Sequence, residues 1–370
     1  MRYFFATGEL SGETSAVLLS GAIRQLDERA VFEGLGSERM RSAGFNVWRD
    51  TRGWGSMGVV SALAKVPGLY AIMLQVALRL RQRPPDLVVL VDFGAFNLRL
   101  ARTLRAFGYR EPILYFFPPG AWLDNPKQAR LVANSTVPLT PFKHQRDFYR
   151  SLGLPVHWFG HPLTAAYGMR AARAAPPAGA GRIAVLPGSR AGELRYHLPA
   201  LLAAFEILLQ SRPNAGAIFG AADSAAANAI RREIHARQVA NVEVVAGGHA
   251  ALLGADAAWI ASGTAVLEAA LMGVATVALY ILSAPQARIA RRIYRGAYIT
   301  LPNIILNAEV IPEYMQEAAT PQRLAAAMNS VLADPHSQYV AFCELRERLG
   351  PPDALAHCAR FAVGLAGTSC

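Results

Sequence analysis

The chain is short of cysteine, of acid and of long apolar runs, and each shortage removes a class of protein. Its 370 residues hold three cysteines, Cys343, Cys358 and Cys370, all near the C-terminus. They can build neither a disulfide framework nor a CxxC zinc site, and a reducing cytoplasm suits them. No Asp-x-Asp pair occurs in the sequence, so the usual acidic ligands of a metal-assisted sugar-nucleotide site are missing. The longest apolar stretch, Met57 to Leu80, is broken by Lys65, Pro67, Gly68, Gln75 and Arg79. A spanning helix needs about 18 or more clean apolar residues, so none is expected. The opening Met1–Gly8 reaches glycine too soon for a signal peptide. Charged residues are only 17% of the chain, yet 37 Lys and Arg face 26 Asp and Glu, a formal charge of +11. Partners should therefore be anionic: nucleotide, phosphate, nucleic acid or anionic lipid. Nucleic acid is the least attractive of these, because no recognition module or interleaved stacking motif is visible.

What is present is apolar and periodic. Hydrophobic residues make up 53% of the chain, enough for a sizeable core. Short apolar runs read as buried strands over Tyr3–Ala6, Leu87–Val91, Ile113–Phe117, Ile183–Leu186, Val242–Val245, Ala257–Ala261 and Thr276–Leu279. Helix-like stretches separate most of them. This alternation predicts an α/β chain of two doubly wound parallel sheets. The first domain spans residues 1–165 and the second 166–344. The boundary lies within 161–180, after a strand-like stretch Val156–Gly160. Helices broken at Gly350-Pro351-Pro352 follow, and a tail helix within about 345–370 could pack back on the first domain.

Two turns in the second half have the look of anion sites. Leu186-Pro187-Gly188-Ser189-Arg190 leaves a strand, and Arg190 carries a rigid donor fork suited to a diphosphate. The plainer alternative is an arginine bridged to Glu193. Ala261-Ser262-Gly263-Thr264 runs from a strand into a helix. There Gly263 allows close approach, and first-turn N–H groups can face an anion. Glu268, a turn further on, suits a ribose diol; otherwise it is an ordinary glutamate below an N-cap.

The first half is less explicit. Gly8-Glu9-Leu10-Ser11-Gly12-Glu13 is not a GxGxxG fingerprint. Its carboxylates point to a hydroxyl-bearing ligand, or else Ser11 or Glu13 caps the next helix. Asp92 ends a buried strand, either as a base or as an acceptor for loop N–H groups. Residues 51–85 hold Arg52, Lys65, Arg79, Arg81 and Arg83 and no acid, alongside Trp54, Met57, Val59 and Val60. From Leu69 onward Ile72, Met73, Val76 and Leu80 share one helical face, opposite Gln75, Arg79 and Gln82. Such a segment lies at a membrane interface or packs on its own sheet. Ala269–Ala308 also lacks acid and carries Arg288, Arg291, Arg292 and Arg295, a second candidate for anionic lipid or a phosphate clamp.

Eight pieces in this order and spacing resemble the lipid-A-disaccharide synthase family, inverting glycosyltransferases of family 19. They are Gly8-Glu9-Leu10-Ser11-Gly12; Pro85-Asp86 with Val91-Asp92 and Phe96-Asn97; Pro141-Phe142; Phe159-Gly160-His161-Pro162; Leu186 to Arg190; Ala261 to Ala265 with Glu268; Leu301-Pro302-Asn303; and Ile311-Pro312-Glu313 with Gln316. The resemblance implies a GT-B fold, two Rossmann-like domains facing a cleft. It also implies transfer of diacylglucosamine from UDP to diacylglucosamine 1-phosphate, with UDP released, no metal or other cofactor, and peripheral attachment to the cytoplasmic face of the inner membrane. A homodimer is compatible with it. Gly188, Ser189, Arg190, Ser262, Gly263, Thr264, Glu268 and Asn303 would then hold UDP. Glu9 and Asp92, with Arg190, would be the catalytic set, and Glu13 would lie on the acceptor side.

The chain also departs from the family pattern. Gly94-Ala95 stand where the family loop has Pro-Asp, so Ala95 replaces the carboxylate expected to be the base. Glu13 replaces an aspartate, and Lys143 a glutamate. Phe117–Asp124 lacks the family's serine and Trp-x-Trp-Arg pattern. The donor side is kept and the acceptor side altered.

Overall fold

A computed structural model describes residues 1–54, 59–120, 125–168, 174–293 and 296–368. It describes the side chains of these residues except 59–66 and 293. The expectations for Met57, Arg295, Cys370 and the 121–124 part of the Phe117–Asp124 loop fall outside that set. So do those for the side chains of Val59, Val60 and Lys65.

The described chain forms two compact units, one of Met1–Ala166 with the segment from Leu349 onward, the other Tyr167–Arg348. The first unit holds β1 (Arg2–Ala6), β2 (Val31–Gly36), β3 (Asn46–Asp50), β4 (Leu87–Val91), β5 (Ile113–Phe116) and β6 (Val137–Leu139). They form one sheet in the order β3-β2-β1-β4-β5-β6, with every neighbouring pair parallel. Successive residues of a strand point to opposite faces, and here both faces are apolar. Phe4, Ala6, Val88, Leu90 and Tyr115 enter one cluster, with Met73, Val76 and Leu80 of helix Val59–Gln82 and Leu100 and Leu104 of helix Gly94–Ala106. Tyr3, Phe5, Val89 and Phe116 enter the other, with Leu19 and Ile23 of helix Leu10–Leu26 and Cys358, Ala359 and Ala362 of helix Ala354–Gly367. The tail helix thus covers the first sheet, and its small residues let it lie close against the helix after β1.

The second unit repeats the plan. It holds β7 (Ala180–Leu186), β8 (Asn214–Ala221), β9 (Val242–Ala246), β10 (Ala257–Ala261), β11 (Ala275–Tyr280) and β12 (Glu313–Met315). Their order is β12-β11-β10-β7-β8-β9, again parallel throughout. One face packs Ile183, Val185, Trp259 and Val277 on Leu201, Phe205, Leu324 and Met328. All seven expected strands are present. The five unforeseen ones lack the apolar signal. β8 is mostly alanine and glycine, β2 contains Gly34 and Gly36, and β6 is an edge strand carrying Pro138, a position where proline costs no central ladder bond. The expected strand at Val156–Gly160 is not one; it contributes a single bridge between His157 and Leu139.

His161 belongs to the first unit. It is buried at 1% exposure, its N–H donates to Leu349 O at 2.8 Å, and its Nδ1 accepts from Leu163 N at 3.2 Å. Gly160 and Gly350 meet beside it, both at φ +106, so closely that a Cβ on Gly350 would lie 2.8 Å from the Gly160 Cα. The Phe-Gly-His-Pro piece therefore fastens the returning tail.

In each sheet the strand order reverses direction once, between β1 and β4 and between β7 and β10. A doubly wound sheet leaves a crevice at the carboxyl ends of the two strands flanking such a reversal, and ligands bind there.

Candidate active site

The second unit's crevice is flanked by the turns after β7 and β10, whose strand ends are paired, Leu186 beside Ile260. Gly188, at φ +112, turns the chain so that the N–H groups of Ser189 and Arg190 converge. What they meet is Glu193. Its Oε2 accepts from Ser189 N at 2.9 Å and from Arg190 N at 3.2 Å. Its Oε1 accepts from the Arg190 guanidinium at 2.7 Å and from the Tyr280 hydroxyl at 3.4 Å. The expected bridge to Glu193 is thus present. The turn is a nest for an anion, filled by its own carboxylate, which also takes the space a Cβ on Gly188 would need. His197, fully buried one helical turn beyond Glu193, was not foreseen. Its Nδ1 pairs with Pro187 O at 2.8 Å and its Nε2 accepts from Ile281 N at 2.9 Å. The ring so ties the turn to the end of β11 in a single neutral tautomer.

The turn after β10 is open. Helix Thr264–Leu271 begins at Gly263, which has no side chain to cap the first-turn amides. A Cβ there would meet nothing nearer than Ala261 O at 4.0 Å. Ser262 Oγ donates to Ile299 O at 3.2 Å, and Ser262 and Thr264 are half-buried, as is Glu268. The Ile299 segment is held in turn by Glu313. That carboxylate accepts from Ile299 N at 2.8 Å and from Thr300 N at 2.9 Å. Asn303 is placed differently from expectation. It is fully buried, donates to Ile311 O and to Glu313, both at 2.8 Å, and accepts from Val310 N and Ile311 N, both at 2.9 Å. An amide that already makes four internal bonds has none left for uridine. Asn303 shapes the wall of this turn from behind.

The first unit's crevice is flanked by the turns after β1 and β4. Glu9 precedes helix Leu10–Leu26 as its half-buried N-cap. Glu13 is not the helix cap: it is buried at 2% exposure. It accepts from Ser37 Oγ at 2.6 Å and Thr51 Oγ1 at 3.4 Å. Burial raises its pKa above the ordinary range, against the lowering effect of Ser37 and Arg39. After β4, Asp92 and Phe93 both adopt left-handed backbone, φ +49 and +46. The Asn97 amide pins them, donating to Ala6 O at 3.1 Å, Val91 O at 3.2 Å and Asp92 O at 2.9 Å. Tyr115 Oη donates to Asp92 O at 3.0 Å. Ala95 is exposed in the first turn of helix Gly94–Ala106. Gly94 lies against Pro119, whose Cβ would be 2.6 Å from a Cβ at position 94. The altered residues after β4 and the altered loop after β5 therefore fit one another. Gln145 steadies that loop through Pro118 O at 3.1 Å and Pro119 O at 3.3 Å.

The cationic surface residues fall into two groups. Arg79 stacks on Trp48, its guanidinium 3.8 Å from the ring centre, so it covers its own sheet. Trp54 packs on Phe93 and Phe96. Arg288, Arg291 and Arg292 are exposed on helix Ala284–Ile293, with Arg291 bridged to Glu317 at 2.9 Å. Among the described residues no helix is long and apolar enough to cross a membrane.

Two parallel sheets, each with a ligand-type crevice, admit many chemistries. The family profile for lipid-A-disaccharide synthetase matches residues 3–349. The chain belongs to the lipid-A-disaccharide synthetase family. The lipid-A-disaccharide synthase of Synechocystis sp. is 34% identical over 377 residues, covering 95% of this chain and 94% of its own. Solved structures share the fold at much lower identity. The UDP-GlcNAc 2-epimerase from Neisseria meningitidis, bound to UDP-GlcNAc, matches at TM-score 0.59 and 10% identity, covering 98% of this chain and 100% of that one. The calicheamicin glycosyltransferase CalG4 matches at TM-score 0.57 and 16% identity, covering 99% and 98%. These likenesses place this lipid-A-disaccharide synthetase family member in the GT-B fold class.

Proposed function

We propose that the chain is an inverting glycosyltransferase that moves diacylglucosamine from UDP-2,3-diacylglucosamine to 2,3-diacylglucosamine 1-phosphate. The observation that carries this reading is the family match across 3–349. The acceptor hydroxyl oxygen attacks the anomeric carbon, the bond from that carbon to UDP breaks, and the hydroxyl proton passes to a carboxylate. Ser262, Gly263 and Thr264 would receive the diphosphate at the open helix start, with Glu268 on the ribose. Arg190 would exchange Glu193 for the leaving group, placing a permanent cation where negative charge grows. No metal is assigned a role. For the proton, Glu9 and Asp92 are favoured over Glu13, whose buried oxygens are already engaged.

The membrane side of the reading is supported by exposed Tyr70 and Leu78 on helix Val59–Gln82 and by exposed Arg288 and Arg292. Attachment would be peripheral, at the cytoplasmic face of the inner membrane. One experiment tests the core of the reading: UDP release from UDP-2,3-diacylglucosamine, with and without the acceptor, beside calorimetry of UDP binding. Acceptor-dependent release supports it. UDP binding without release favours a second reading, a family member that binds sugar nucleotide without the transfer; Ala95, exposed and without a carboxylate, motivates that alternative. No UDP binding removes both.

A further inference from the structure

The first switch point is closed by a side chain that the reaction above does not use. Phe93 lies flat over Gly8, leaving no room for a Cβ at that position. Its ring stands 6.3 Å from that of Trp54 and 5.8 Å from that of Phe96, and Trp54 and Phe96 stand 5.2 Å apart. Phe96 is buried, while Phe93 and Trp54 keep exposed surface.

A ring that served packing alone would have no need of this backbone. Left-handed φ costs a bulky residue such as Phe93 about 1 kcal/mol or more, and Asp92 just before it is left-handed too. The three Asn97 bonds and the Tyr115 bond hold them there. Asn97 also carries a buried Oδ1 that has no partner among the described residues. Strain that is so firmly held marks a position whose geometry matters. The strain is what carries the Phe93 ring across from the β4 turn to the β1 turn, into the place where a doubly wound sheet would otherwise offer an open crevice.

We propose that Phe93, backed by Trp54 and Phe96, is an acceptor-side specificity residue whose ring closes the crevice above Gly8 and presents an aromatic face to the acylated sugar of the acceptor. The inference rests on the glycosyltransferase reading and adds which residue selects the acceptor. A flat aromatic surface matches the apolar face of a sugar ring and the first methylenes of its acyl chains, whereas a charged or small residue would leave a polar slot. Phe93 acts by contact with the acceptor and takes no part in holding UDP.

The test is calorimetry on the full chain with a short-acyl 2,3-diacylglucosamine 1-phosphate, which needs no turnover, and with UDP in a separate titration. Phe93→Ala should weaken acceptor binding by about tenfold, leave UDP affinity within twofold, and raise the KM for the acceptor without raising that for the donor. Phe93→Tyr keeps the ring and should bind the acceptor within about twofold of the parent. Equal acceptor affinity in Phe93→Ala and the parent overturns the proposal, and so does a parent that binds UDP but not the acceptor. A parent that binds acceptor but not UDP would instead strike at the donor reading. Should Phe93→Ala fold poorly, Phe93→Leu offers an apolar side chain without a ring. Acceptor binding by Phe93→Leu as tight as that of Phe93→Tyr would also overturn the proposal.

Discussion

The two switch points follow the same topological rule and are finished in opposite ways. In the second unit the crevice is polar. A nest of N–H groups and a guanidinium closes on Glu193, and beside it a helix starts uncapped at Gly263. In the first unit the crevice is aromatic. Phe93 sits on Gly8, and three non-glycine residues with left-handed backbone, Asp92, Phe93 and Phe117, follow β4 and β5. Beside the second unit's crevice the positive φ falls on Gly188, where it costs little. Beside the first unit's crevice it falls on Asp92 and Phe93, and it costs the bulky Phe93 more. A binding site for a diphosphate needs donors aimed at a known charge, which backbone turns supply at little cost. On the proposed function the first crevice would meet an acylated sugar, which calls for shape, and Phe93 held in left-handed backbone would supply it.

The sharpest way to break this contrast is to remove the cation from the polar crevice. Arg190→Ala should lower kcat/KM by about 10²–10³-fold, the usual loss for one donor to a developing negative charge, with the deficit largest in kcat. Steady-state UDP release measures it, and a loss under fivefold would mean that the pair with Glu193 never opens. Next comes the acceptor side. Ala95→Asp should raise turnover by at least about tenfold, since general base help contributes typically 10²–10⁴-fold and a fresh carboxylate will not be ideally aimed. The position is exposed in the first turn of a helix, so the new charge also suits the dipole and folding should not suffer. If Ala95→Asp has no effect on rate, Glu9 or Asp92 already does this work.

Both sheets were legible because their central strands are apolar on both faces. β4 and β10 appear residue for residue as expected, β1, β5 and β9 differ by one residue, and β7 begins three residues earlier than expected. The strands that escaped are those whose character comes from neighbours. β8 is held by a ladder that alanine and glycine neither favour nor announce, and β6 carries an edge proline. The residues of the donor turns were legible as a pattern, but their partners were not. Nothing in Leu-Pro-Gly-Ser-Arg says that Glu193 will occupy its nest, although the salt bridge was one of two readings of that spacing. His197 gave no signal, because a lone histidine in an apolar helix looks like any core residue. Asn303 matched the family motif, yet its four bonds turn inward. Phe93 carries no signal of its own in the sequence; only the approach of β1 to β4 shows what its ring covers.

A smaller effect separates the buried acids. Glu193 meets a cation, whereas burial leaves Glu13 with a raised pKa. A raised carboxylate contributes fully below the ordinary value of 4.5 and loses stability as pH climbs through its folded value. Glu13→Gln keeps an acceptor for Ser37 and removes the charge. It should raise the Tm of the first unit at pH 8 by about 2–4 °C, the shift expected of roughly 1 kcal/mol in a domain of this size, and by less at pH 5. Scanning calorimetry at the two pH values reads it. An equal gain at both would show that packing, not charge, is responsible.

The smallest expected effect tests whether the polar turn depends on a neutral ring. Burial lowers the pKa of His197, and that of His161 to about 3. Each unit therefore carries one buried histidine that must stay uncharged. Above the ordinary value of 6.5 both folded and unfolded forms are neutral, and the full stability is present. As pH falls below 6.5 the unfolded chain takes up protons that the folded chain refuses, so stability declines towards the folded pKa. His197 faces Glu193 and the Tyr280 ring, and through Glu193 the Arg190 guanidinium. Protonation would break the bond that its Nε2 accepts from Ile281 and set the Pro187–Arg190 turn loose. His161 faces the rings of Phe117 and Phe142, the N–H of Leu163 and the backbone of the tail crossing. Acid should therefore weaken UDP binding through His197 and loosen the tail through His161. His197→Gln, which can still donate and accept, should flatten the decline of UDP affinity between pH 7.5 and 5.5 without changing how His161 responds. His161→Asn should flatten part of the fall in Tm and leave the UDP profile as steep as before. An unchanged UDP profile in His197→Gln would detach the ring from the turn and leave Glu193 as its sole organiser.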